Sequence, residues 1–261
     1  MTTSTQTALD LGKKVAGERR YFTVMALVMI AISVAGFLPA IVDPSSRRAP
    51  LTPLAAVHGV VYFAWLVLFL VQTRLVAMRR IVVHRRLGIV GVVLLAAMVP
   101  LGYVTTIEMV RRGFDLSGDQ NVDHYAHAGY IDPQYGAVFN LYGLVAFTVL
   151  AAAGLVFRRR SEIHRRFMLY ATILLMAAPI THFWGHLNVF KHVGPQLGAL
   201  LVVAPMAMLM FSCVVRDYVV MRRVHPLTLA LSIILIAMLP IQATVIGPSA
   251  TWHRLVDWLA G

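Results

Sequence analysis

Apolar residues run almost unbroken along this chain, and polar positions are gathered into short intervals between the runs. A hydrocarbon core about 30 Å thick needs roughly 20 apolar residues per crossing helix. Seven stretches qualify: 21–42, 54–77, 87–107, 136–157, 167–186, 197–215 and 227–246. The pattern predicts an all-α polytopic membrane bundle of about seven helices, with connections too short for a soluble domain. Residues 1–20 read as a polar leader, 21–247 as the membrane domain and 248–261 as a terminal segment. The first run sits behind its leader with no small-residue cleavage site after it. It reads as a spanning helix rather than a cleaved signal.

Composition agrees. Of 261 residues, 59% are hydrophobic and 13% charged, against about 25% charged in a soluble domain. The single cysteine, Cys213, excludes a disulfide framework or a zinc-thiolate site within one chain. A net charge of +12 would suggest nucleic acid in a soluble protein, but its distribution says otherwise. With alternate helix ends on one side, that side collects Lys13, Lys14, Arg19, Arg20, Arg74, Arg79, Arg80, Arg85, Arg86, Arg158, Arg159, Arg160, Arg165, Arg166, Arg216, Arg222 and Arg223. These are 17 of the 23 Lys and Arg. Cytoplasmic loops retain positive charge, so this side and the N-terminus are expected inside a bacterial inner membrane, and the C-terminus outside. The arginine runs then serve topology and lipid headgroups, not nucleic acid. The outer side gathers Asp43, Glu108, Asp115, Asp119, Asp123, Asp132 and Asp257.

Two segments overlay: Arg79-Arg80-Ile81-Val82-Val83-His84-Arg85-Arg86-Leu87-Gly88 and Arg159-Arg160-Ser161-Glu162-Ile163-His164-Arg165-Arg166-Phe167-Met168. Each reads as the short inner turn of a hairpin, so helices 2–3 and 4–5 form a parallel repeat. With His58-Gly59 opening helix 2 and Gln72 near its inner end, these motifs resemble bacterial multi-pass membrane proteins of unknown function that carry repeated His-Arg-Arg helix starts. The resemblance covers about half the chain and implies a helical membrane fold. A looser resemblance is to di-haem b-type membrane cytochromes, which implies histidines near both ends of a four-helix core. Here the inner histidines, His84 and His164, lie in arginine-rich turns, where headgroup contact is the reading.

Seven of the ten histidines fall on the outer side: His58, His124, His127, His182, His186, His192 and His253. Histidine is a common metal ligand and is costly in lipid without a partner. His58 and His182 lie at similar depth near the outer ends of helices 2 and 5, and His186 shares a helical face with His182. His-x-x-x-His holds zinc in metalloproteases, but their neighbouring Glu is replaced here by Phe183-Trp184-Gly185. His58, Tyr62, Trp65, Phe69 and Gln72 recur at spacings of three and four, which predicts a stripe facing the bundle interior. His164, Met168, Ala171, Leu175, Ala178 and His182 make a similar line. Glu108, His124 and His127 are further candidate ligands, the last two beside Asp123 in the longest loop. Pro39, Pro100, Pro179 and Pro240 lie in outer helix halves, and such kinks predict a cavity opening outward.

The favoured expectation is a metal- or haem-binding redox protein of the inner membrane. Its outer site would draw on His58, His182, His186, Glu108, His124 and His127, with Tyr62 and Trp65 lining a cofactor. Imidazoles suit haem b, iron, copper or zinc; structural hydrogen bonding by the same histidines is the competing reading. One alternative is a non-catalytic subunit of a larger membrane complex, or a protein binding a lipid, quinone or pigment. Another is a zinc-dependent membrane hydrolase, with Glu108 or Asp123 as acid or base. A retinal pigment is poorly supported despite seven helices, since the lysines are Lys13, Lys14 and Lys191 and none lies mid-helix to form the Schiff base. Ion conduction has no mid-membrane charge to support it.

Overall fold

The computed structural model describes residues 2–44, 51–112, 132–189, 192–193 and 195–261. They form helices α1 Thr2–Val42, α2 Pro53–Ala77, α3 Ile81–Arg112, α4 Pro133–Val156, α5 Ser161–Leu174, α6 Ala177–His186, α7 Pro195–Met221, α8 Pro226–Ile241 and α9 Ala250–Ala260, with a wider π turn, Gln242–Ile246, closing α8. No strand occurs among the described residues. Seven segments are long and apolar enough to cross a membrane: α1 from Arg20, α2, α3, α4, α5 with α6, α7 from Leu200, and α8 with its π turn. The protein is an all-α, multi-pass membrane bundle.

The helix starts follow from local chemistry. Thr52 precedes Pro53, and its hydroxyl accepts the N–H of Ala55 at 3.1 Å. Asp132 precedes Pro133 and accepts the N–H of Tyr135 at 2.8 Å. His225 precedes Pro226 and accepts from Leu227. In each case a side-chain acceptor satisfies an orphan N–H, and proline takes a position that needs no donor.

The basic turns are shorter than the sequence pattern predicts. Only Met78–Arg80 and Phe157–Arg160 lie between helices. Arg79 closes the first with φ of 60°, a left-handed conformation at a helix C-terminus. His84 and His164 are therefore first-turn helical residues of α3 and α5, not loop residues.

The fifth apolar run is divided. α5 ends at Leu174 and α6 begins at Ala177. Pro179 has no N–H to offer, and its ring crowds the carbonyl four residues back, that of Leu175. Leu175 and Met176 instead make tight bonds to Thr172 and Ile173, at 3.2 and 2.9 Å. Pro39, Pro100 and Pro205 are absorbed within continuous helices.

α1 packs on both α2 and α6, α2 on α3, α3 on α4 and α4 on α5, so the first five spans close a ring. α7 and α8 pack against its α5–α6 side, and α9 lies on α3 and α4. Trp65, Phe147, Tyr170 and Met29 are buried in one hydrophobic core. Trp65 meets Phe147 edge-on at 5.1 Å and donates to Thr172 Oγ1 at 3.2 Å. Trp65 and Phe69 are buried, so the α2 stripe faces inward as its spacing predicts. Below, the basic end is the one bearing Arg79, Arg85, Arg159 and Arg165, and the far end is its opposite.

Candidate functional site

At the far end, the sequence-selected histidines are held by different neighbours. His58 stacks on Tyr62 with ring centroids 4.0 Å apart, and its Nδ1 lies 3.2 Å from Thr105 Oγ1 on α3. Tyr62 donates to the Met98 carbonyl at 3.0 Å. His182 is 6% exposed and lies against Phe37 of α1 at 4.7 Å. His186 donates from Nε2 to the Gly36 carbonyl at 3.0 Å. Glu108 sits partly buried near the end of α3. His124, His127 and Asp123 lie outside the described residues. Among the described residues, no three of His, Cys, Asp and Glu converge as a metal would require.

Pro179, one of the outer-half prolines, makes a close contact with α1. A Cβ on Gly36 would collide with the main chain of Pro179, so α1 and the start of α6 touch backbone to backbone. Glycine lets that contact form.

At the basic end two histidine rings meet. His84 and His164 lie 6.3 Å apart, centroid to centroid, with planes at 79°. They are equivalent positions of the repeat, so the two hairpins bring their own copies together. His164 Nδ1 donates to the Gly154 carbonyl at 2.7 Å. A neutral ring that donates from Nδ1 presents a lone pair at Nε2. Among the described residues, neither His84 Nδ1 nor Gln72 Oε1 has a hydrogen-bond partner, and both atoms are buried. Orphaned buried polar atoms are uncommon and call for an explanation.

Gly154 is part of this geometry. A Cβ there would lie 2.7 Å from Met168 Sδ and 3.4 Å from Phe167 Cβ. Its absence lets α4 approach until the Gly154 carbonyl reaches His164. Gly154→Val is expected to cost about 1–3 kcal/mol through overpacking, read as a lower unfolding temperature in detergent. An unchanged temperature would show that Met168 moves aside freely.

A second buried cluster at the basic end escaped the sequence reading. Arg166, Arg216 and Asp217 are 3%, 7% and 1% exposed. Asp217 accepts from Arg166 Nη2 at 2.9 Å, Arg216 Nη1 at 2.6 Å and Thr228 Oγ1 at 2.6 Å. Arg166 Nε also donates to Thr228 at 3.0 Å. Tyr170 donates to the Thr228 carbonyl at 3.1 Å and pairs with Ser232. The Arg165 and Arg216 guanidiniums lie over Phe22 at 5.6 and 5.3 Å. The cluster ties α5, α7 and α8 together and α1 to them. Two arginines read as topology signals are thus internal struts. The available signal was Asp217, an acid near a helix C-terminus, where the helix dipole disfavours negative charge.

His225 borders this cluster. Its Nδ1 accepts the Leu227 N–H at 3.1 Å, which requires a neutral ring. Burial, and next the positive charge of Arg166, hold its pKa below the ordinary value. The folded state therefore favours the neutral form. Its contribution is complete above the unfolded pKa of about 6.5 and is lost as pH falls from there toward the lowered folded value. Thermal unfolding between about pH 5 and 8 should show this acid-side loss, and His225→Asn, which can still cap, should flatten it. An equally acid-sensitive His225→Asn variant would assign the loss elsewhere.

Comparison of the chain with protein-family models, curated proteins and solved structures finds no match.

Proposed function

We propose that this protein is a membrane-embedded metal- or haem-binding redox protein whose ligand pair is His84 with His164. The observation that carries the reading is the pair itself: two histidines from separate helices, facing at 6.3 Å, with lone-pair nitrogen on one ring and an orphaned nitrogen on the other. Imidazole binds such metals at about 2.0–2.1 Å, and the ring centroid lies roughly 1.2 Å beyond the nitrogen. Two imidazoles on one metal therefore have centroids roughly 5–6.5 Å apart. The observed 6.3 Å separation falls within that range.

The His164–Gly154 bond fixes that ring's tautomer and orientation, as outer partners of metal-bound histidines do. Gln72 Oε1 is a further candidate ligand or hydrogen-bond acceptor. Such a ligand set suits iron, copper or zinc, and haem iron accepts two axial histidines. A bound iron or copper would supply one-electron chemistry at this end of the bundle. By the charge pattern, that end is the cytoplasmic one of a bacterial inner membrane.

The proposal therefore moves the site from the outer to the basic end. The far-end histidines favour a structural role, because each is engaged with a neighbouring helix or ring. A zinc hydrolase needs three ligands and an open position, and nothing among the described residues supports that reading. The test is an absorption spectrum with elemental analysis of the detergent-purified protein. Stoichiometric iron, copper or zinc, or a haem band, is expected. Neither would leave the reading of a subunit or a lipid, quinone or pigment binder.

A further inference from the structure

The terminal segment 248–261, expected only as an outer tail, is an ordered helix. α9 begins at the Ser249 cap, whose hydroxyl accepts the Trp252 N–H at 3.2 Å. With 11 residues it is about 16 Å long, too short to cross a bilayer. Its neighbours set its level. Arg111, at the end of α3, donates to the Ala260 carbonyl at 2.6 Å. Gln134, at the start of α4, donates to Asp257 at 2.8 Å, and Trp252 Nε1 donates to the Gln134 carbonyl at 2.7 Å. α9 therefore lies across the bundle where one spanning helix ends and another begins.

Helical spacing divides α9 into three faces. Trp252, Val256 and Ala260, four apart, face the protein, where Val256 is fully buried with Val110 and Ala137. Arg254 and Asp257, three apart, are exposed and charged. Leu255 and Trp258, also three apart, are exposed at 44% and 75%. A large apolar face beside a charged one is costly in water. At a bilayer edge it fits, because tryptophan favours the headgroup level and amphipathic helices lie in that plane.

We propose that α9 is an interfacial anchor, with Leu255 and Trp258 inserted into the lipid of the leaflet at the far end and Arg254 and Asp257 in water. The commitment to lipid rests on continuity with α3 and α4, whose apolar surfaces meet α9 at their ends.

The test uses the full chain in phosphatidylcholine–phosphatidylglycerol vesicles. A nitroxide is attached at Trp258→Cys, Leu255→Cys or Arg254→Cys; the native Cys213 is buried at 4% exposure, which keeps labelling at the introduced thiol. These positions are exposed, so the substitutions remove little packing. Positions 258 and 255 should collide with oxygen far more than with a water-soluble nickel chelate, and position 254 should do the reverse. Nickel access at 258 equal to that at 254 would overturn the proposal. Shielding of 258 from both reagents would also overturn it, assigning the face to a second protein surface instead.

Discussion

Asp217→Ala is expected to cost the bundle about 3–5 kcal/mol, the range for removing one partner of a buried ion pair. The carboxylate, 1% exposed, is the shared acceptor for Arg166, Arg216 and Thr228, and for the His225 main-chain N–H at 3.3 Å. Without it, two buried guanidiniums lose their shared buried carboxylate, and Arg166 retains the exposed Glu162 at 3.8 Å. Total stabilities run about 5–15 kcal/mol, so this single change consumes much of the margin. Folded yield on size exclusion and thermal unfolding in detergent will read it. Asp217→Asn should do less harm, since it keeps an acceptor for Thr228. The triple change Arg166→Met, Arg216→Met and Asp217→Leu should recover much of the loss, because apolar replacement of a whole buried ionic cluster is often neutral. Full stability in Asp217→Ala would mean that the cluster contributes nothing to the fold.

His84→Ala and His164→Ala are each expected to remove bound metal or haem while leaving the bundle folded. Both rings are only partly buried, so truncation opens no deep cavity. Loss of an outer partner typically weakens metal affinity about 10–100-fold, and loss of a ligand should exceed that. His58→Ala and His182→Ala should keep the metal. His182→Ala should instead destabilise the fold, since it empties a buried place against Phe37. Metal content normalised to folded protein measures all four. Equal retention in His84→Ala and His164→Ala, or loss confined to the far-end variants, would return the site to the outer histidines.

The spanning helices were legible because lipid imposes length and hydropathy directly on sequence. The inward stripe through Trp65 and Phe69 was legible for a similar reason: helical spacing alone places both on one face. The starts of α3 and α5 were not, because arginine interrupts an apolar run while still permitting helix. His84 and His164 were therefore read as loop residues facing headgroups. That they meet follows from the repeat, but a repeat predicts equivalence, not contact. The Arg166–Asp217 cluster was hidden because Arg166 continues a basic run, Arg216 lies near a basic helix end, and their burial depends on how α5, α7 and α8 pack. At the far end, sequence gives the depth of a histidine but not its partners: His58 bonds Thr105 on α3, His182 lies against Phe37 and His186 bonds Gly36, both on α1.

X-ray absorption at the metal edge of the purified protein tests the His84–His164 pair most directly. The expected result is an imidazole shell at about 2.0–2.1 Å in the native protein, with the metal-edge signal lost in His164→Ala. A metal with no imidazole shell, a shell unchanged in both alanine variants, or no bound metal at all would contradict it.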